Sequence, residues 1–205
     1  MEKFRKMHAE YFPLAFEEIK NGEKKSDWIW FIFPQIVDLG RSKICKMFEL
    51  KSLDEAKEFL NDQILSQHLV LITKQLLTHR NKKIFDIMNT DDIKLLSCMT
   101  LFNIADTDMK FNGIFQDVIN CFYQGRQDQL TINILRKQYY EKNNNNINFP
   151  NDKYNMNANE YYNNQKSNEH NEIYGRQNNS MYKEDSDELN LNQNNRGFFT
   201  VNTNG

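Results

Sequence analysis

Cysteine is scarce in this chain, and what there is has no pairing pattern. Cys45, Cys98 and Cys121 lie far apart and form no CxxC unit. An odd count without a disulfide framework fits three reduced, mostly buried thiols in a reducing compartment. A reactive nucleophile is the alternative. The four histidines, His8, His68, His79 and His170, show no metal-ligand spacing with the cysteines. Long apolar runs are missing as well. The most apolar stretch, Trp28–Phe33, ends after six residues at Pro34, whereas a membrane span needs ~20. Met1–Tyr11 is charged and has no apolar core, so it is not a signal peptide. These absences lead us to expect a soluble, intracellular, cytoplasmic protein with no membrane partner. A strong charge of either sign is absent too: the net charge is -2. Residues 1–140 carry 20 Lys+Arg against 19 Asp+Glu, and residues 141–205 carry 6 against 9. That balance argues against general nucleic-acid binding. There is no Walker-type loop, no dinucleotide fingerprint and no HExxH. No cofactor is expected, and no catalytic residue can be named.

What is present is helical periodicity. Phe4, Met7, His8, Tyr11, Ala15 and Ile19 predict an amphipathic helix over 3–21, with Pro13 as a kink or a fresh first turn and Gly22 as the C-cap. A short helix, or a strand, follows over Trp28–Phe33, with Ser26 or Asp27 as its cap. Residues 35–40 read as a loop and 41–50 as a helix. Ser52-Leu53-Asp54-Glu55 is a capping box for the next one. Ile64 to Leu77 mark a longer helix. Thr90–Asp92 caps another that carries Ile93, Leu96 and Met99, and helices over 111–123 and 129–139 complete the set. No alternating strand pattern has turn chemistry on both sides. The prediction is an all-α single domain of about seven helices, spanning 1–140.

After Tyr140 the composition changes. Roughly a third of residues 141–205 is asparagine. Such an Asn-rich, low-complexity segment cannot bury enough apolar surface to offset ~1–2 kcal/mol of chain entropy per residue, so a disordered tail is expected.

The least ordinary stretch runs from Lys24 to Ser42 and holds both tryptophans of the chain. A second runs from Asp92 to Phe102. Together they resemble the family called domain of unknown function 1810. Gly22, Lys25, Ser26, Trp28, Trp30, Phe31, Ile32, Phe33, Pro34 and Gln35 match its aromatic run, and Leu39, Gly40 and Ser42 match the step after it. Asp92, Lys94, Leu95, Ser97, Met99, Thr100, Leu101 and Phe102 match its third motif. The resemblance covers about Phe4 to Leu135. It implies a small, mainly helical domain of unestablished role. Members sometimes carry a calpain-inhibitor (calpastatin) label, which does not suit a folded domain without repeated inhibitory segments. Asp27 stands where the family has His, His8 where it usually has Gln, and Cys98 where it has Ser. If the family's His were a general base, Asp27 would either substitute for it at altered pH or mark its loss.

The same residues read physically in two ways. Trp28, Trp30, Phe31 and Phe33 cover every side of a short helix and could simply fill a core, each burying ~150–250 Å². Alternatively the tryptophans line a pocket and stack on a ring. Arg41 and Ser42 after Gly40 make either an anion site or an ordinary capped helix with a solvated Arg. Lys24 and Lys25 add positive charge or face solvent. Ser97 and Thr100 point into a pocket or bond back to their own helix. The leading hypothesis is a small anionic, nucleotide-like ligand bound by Lys25, Trp28, Trp30, Gln35, Arg41, Ser42, Lys94 and Ser97. The second is a protein-interaction module with an apolar groove, and the third is nucleic acid stacked on the tryptophans.

Overall fold

Phe4, His8, Phe12, Ala15 and Ile19 recur every three or four residues. In the computed structural model, which describes residues 1–143, they form the buried stripe of helix α1 (Glu2–Asn21). Pro13 does not restart α1, which runs through it unbroken. It lies on the exposed face with Ala9, whose carbonyl loses its helical partner where water can replace it. Gly22 ends the helix in the left-handed conformation (φ 72°), its N–H donating to the Ile19 carbonyl.

The aromatic run gives one helical turn, α2 (Ile29–Ile32), rather than a strand. Trp28, not Ser26 or Asp27, occupies the cap position. The expected cap is lost because the Ser26 hydroxyl donates to the Glu18 carboxylate instead (2.5 Å). Beyond Phe33 the backbone bridges to Leu50. The Leu50 N–H donates to the Gln35 carbonyl (2.9 Å), and the Val37 N–H donates to the Leu50 carbonyl (2.8 Å). This tie closes a loop that contains α3 (Lys43–Phe48).

Helix α4 (Leu53–Asn61) begins as its sequence predicts. The Ser52 hydroxyl accepts from the Glu55 N–H (3.2 Å), while the Glu55 carboxylate reaches back to the N–H of Lys51 (2.6 Å). Asp62 then caps α5 (Gln63–Leu77), accepting from Ile64 and Leu65. Helix α6 (Ile84–Met88) and the 3-10 turn at Asn89–Asp91 were not foreseen, because five residues are too few to show a periodic stripe. The set closes with α7 (Asp92–Ala105), α8 (Ile114–Tyr123) and α9 (Gln129–Lys142). The described residues thus hold nine α-helices against about seven expected, α2 and α6 being the shortest.

Helix α7 is the hub. It packs against α4, α6, α8 and α9 and is buried on nearly all sides, as a helix apolar all round must be. No helix among the described residues is long and apolar enough to cross a membrane. The asparagine-rich stretch expected to be disordered lies outside the described residues.

Candidate functional site

Where α1 ends, the chain runs extended from Glu23 to Ser26, and alternate side chains turn opposite ways. Lys24 and Ser26 turn towards the protein, while Glu23 and Lys25 face out. Lys25 therefore pairs with Glu23 at the surface (3.1 Å). Lys24, only 6 % exposed, reaches Asp91 (2.5 Å), and its Nζ also donates to the Ser26 carbonyl (2.8 Å). Its own backbone is pinned by α6 and the 3-10 turn. The Lys24 N–H donates to Ile87, and the Asn89 amide donates to the Lys24 carbonyl (2.9 Å).

Asp91 is shared. Lys94, one turn further along, contacts its other oxygen at 2.8 Å. Two ammonium groups thus meet one carboxylate, and each also covers a tryptophan. Lys94 Nζ lies 4.0 Å from the centre of the Trp30 ring, and Lys24 Nζ lies 4.9 Å from that of Trp28. Trp28 is fully buried, and its Nε1–H donates to Glu18 (2.7 Å). Burial alone would raise the Glu18 carboxyl. Hydrogen bonds from the Ser26 hydroxyl, the Lys25 and Ser26 N–H groups and Trp28 hold it below the usual carboxylate range instead.

The remaining predicted residues divide. Trp30 is only partly buried. Gln35 is 6 % exposed, yet its side-chain amide has no hydrogen-bond partner among the described residues. Its backbone alone is used, in the bridge to Leu50. Ser42 caps α3 by accepting from the Cys45 N–H (3.2 Å). Lys94 is close enough to draw the Cys45 thiol down slightly, so α3 borders the Trp30–Lys94 surface. Burial dominates at that thiol and pushes it up to about 11, so Cys45 is no nucleophile near neutral pH. A Cβ on Gly40 would collide with the Cys45 sulfur, which accounts for the glycine there. Arg41 is exposed, and Asp27 is exposed beside Trp28. Ser97 is buried and donates back to the Ile93 carbonyl (3.1 Å), so its hydroxyl is used within α7.

The structure therefore brings Trp30 and Lys94 together, and joins Trp28 to them through Lys24 and Asp91. It does not bring Lys25 or Ser97 to that surface. Sequence reasoning missed Lys24, Asp91 and Glu18. Two signals could have found them: the period-two alternation after a Gly C-cap, and the i,i+3 spacing of Asp91 and Lys94. The two principal depressions of the domain lie elsewhere. One, about 110 Å³, is lined by Lys57, Leu60 and Asp106 among others. The other, about 340 Å³, is lined by Ser66, Val70, Leu71 and Phe111 among others.

A family model described as "Protein of unknown function (DUF1810)" matches residues 1–135. The fold is similar to the crystal structure of the conserved hypothetical protein Rv1873 from Mycobacterium tuberculosis. The TM-score is 0.62 at 32 % identity, over 65 % of this chain and 94 % of that one. No curated protein matches the chain.

Proposed function

The chain belongs to the DUF1810 family of proteins of unknown function, and from that premise we propose that it binds a small anionic, nucleotide-like molecule across Trp30, Lys94 and Gln35. The observation that carries this reading is one carboxylate, Asp91, shared by two lysines beside a partly open indole. Glu18, the other carboxylate of the cluster, is already engaged by four donors. Lys94 can therefore meet a ligand phosphate or carboxylate beside Asp91, Trp30 offers the open part of its indole for contact, and the Gln35 amide offers a donor and an acceptor. The depressions beside Lys57 and beside Val70 lie elsewhere, and in this reading the ligand lies along the indole. No nucleophile–base pair accompanies these groups among the described residues, so the proposal is binding and does not extend to a reaction.

A second reading, a protein-interaction module, is favoured by the apolar groove of Val70, Leu71 and Phe111, with Leu71 and nearby Met109 exposed by 47 % and 61 %.

A thermal-shift screen of the full chain against nucleotides, nucleotide sugars, phosphorylated metabolites and carboxylates separates the two. A ligand at 100 times its dissociation constant adds ~2.7 kcal/mol. The ligand reading expects a shift that Lys94→Gln and Gln35→Leu both abolish. No shift with any compound, or a shift unchanged in both variants, would sink it.

A further inference from the structure

Between Asp62 and Asp86 the chain contains no Asp or Glu, while Lys74, Arg80, Lys82 and Lys83 place four cations there. All four are exposed, and none forms an ion pair among the described residues. Without them, residues 1–140 would carry 16 Lys+Arg against 19 Asp+Glu, so the near-neutral domain is in fact polarised. The α5–α6 connection that holds three of them is built, not loose. His79 Nε2 donates to the Ile19 carbonyl at the end of α1 (2.8 Å), Lys82 Nζ donates to the Gly22 carbonyl (3.4 Å), and Ile84 anchors the far side in the core. The carbonyl ends of α1 and α5 lie together here and favour a cation. Lys82 fills that role, which leaves Arg80, Lys83 and Lys74 without a structural one.

We propose that this cationic platform is the docking surface for the acidic run Glu184-Asp185-Ser186-Asp187-Glu188 of the same chain. Four carboxylates in five residues are the densest acid in the sequence, and they equal the platform in charge. Lys183 and Leu189 flank the run, with Tyr182 one residue further out, and Phe85, exposed by 56 %, lies two residues beyond Lys83. An apolar contact can therefore accompany the ionic ones. Reach does not limit the contact. Helix α9 ends with Lys142 paired to Asp54 (3.0 Å), and 40 residues separate Asn143 from Glu184. At ~3.3 Å per residue these span up to ~135 Å, against a radius of gyration of ~15 Å for a domain of this size. Attachment to the same chain keeps the run within that reach at any dilution, which no untethered acidic segment matches. Exposed ion pairs are individually weak, so the contact is collective and sensitive to salt.

The test is zero-length carbodiimide cross-linking of the full-length monomer, read by mass spectrometry. The expected products join carboxylates of 184–188 to Lys74, Lys82 or Lys83. Their yield should fall about tenfold in 1 M salt, where the screening length is ~3 Å. It should fall similarly in R80E, which leaves every reacting carboxylate and lysine in place. Reversing both partners, E184K/D185K/D187K/E188K with R80E/K82E/K83E, should restore it. Cross-links spread evenly over all surface lysines, or insensitive to these variants, would overturn the proposal. So would cross-links found only in a dimeric fraction, since the run would then be reaching a second copy.

Discussion

Two buried regions share α1 and are held by opposite means. One is a relay of phenylalanine rings: Phe31 to Phe48 (5.3 Å), Phe48 to Phe4 (5.8 Å), Phe4 to Phe59 (5.3 Å), Phe59 to Phe102 (5.2 Å) and Phe102 to Phe115 (5.8 Å). It links α2, α3, α1, α4, α7 and α8 through contacts that need shape but no partner of a given charge. The other is the set Glu18, Lys24, Asp91 and Lys94, which ties the end of α1 to the start of α7. There every group depends on a specific counterpart, so the loss of one strands the rest. A fold needs only the first kind of region. The second stabilises little that apolar side chains could not, which is why we look to it for function.

The sharpest way to break that contrast is to remove one partner from each. Asp91→Ala leaves two nearly buried ammonium groups on no carboxylate and should cost about 3–5 kcal/mol in urea unfolding. Phe102→Leu keeps an apolar group in the relay and should cost about 1–2 kcal/mol. The triple variant K24M/D91L/K94M should recover most of the Asp91→Ala loss while abolishing any ligand-induced shift. A triple variant as unstable as Asp91→Ala would mean that the charges themselves, rather than their pairing, hold α7 in place.

The contrast also marks what the sequence made legible. Phe102 lies in a helix apolar all round, where spacing marks no stripe, but Phe4 follows from the helical period of α1 without a structure. The caps at Ser52 and Gly22 act locally and need none either. The polar cluster depends on tertiary facts. Lys24 rather than Lys25 turns inward only because α1 ends at Gly22 and fixes the phase of the extended residues that follow. Asp91 sits in a 3-10 turn created by α6, a helix too short to predict. Ser26 looks like a helix cap locally and serves Glu18 instead. The sequence marks Trp30 and Lys94, which meet in the structure, but not Asp91, the partner that joins Lys24 to Lys94.

His8 packs against the ring relay, and it carries the next effect in size. Its ring stacks near Phe12 and His68 and meets Phe59 edge-on. Nε2 faces the Phe31 carbonyl (2.8 Å) and must donate to it, so Nδ1 accepts from His68 Nδ1 (3.2 Å). That arrangement needs a neutral imidazole, and burial pulls His8 down to about 4 from 6.5. The unfolded chain therefore binds this proton more readily. The contribution of His8 is fully present above pH 6.5, is lost as pH falls through about 4, and changes no further below that. At ~1.4 kcal/mol per unit the loss amounts to about 3 kcal/mol. Burial lowers His68 as well, which acts in the same direction. Denaturant midpoints measured from pH 7 to pH 4 should fall in the native chain and fall much less in His8→Gln. Parallel curves would remove His8 as the source.

The smallest effect bears most directly on function. Gln35 is nearly buried as a residue, yet its amide makes no hydrogen bond within the fold and is not among the buried unpaired groups, so it still meets water at the end of the aromatic run beside Pro34. If folding alone governed the position, an apolar residue would serve it as well, so Gln35→Leu should hold stability level or raise it by about 0.5 kcal/mol at most. If the amide is kept for a ligand, the same variant should also lose the thermal shift that the ligand produces. The two readouts separate the explanations. Level or greater stability with binding intact makes Gln35 a spectator and confines the ligand to Trp30 and Lys94. Lower stability means the amide has a partner inside the fold, and the polar cluster would then be as purely structural as the phenylalanine relay.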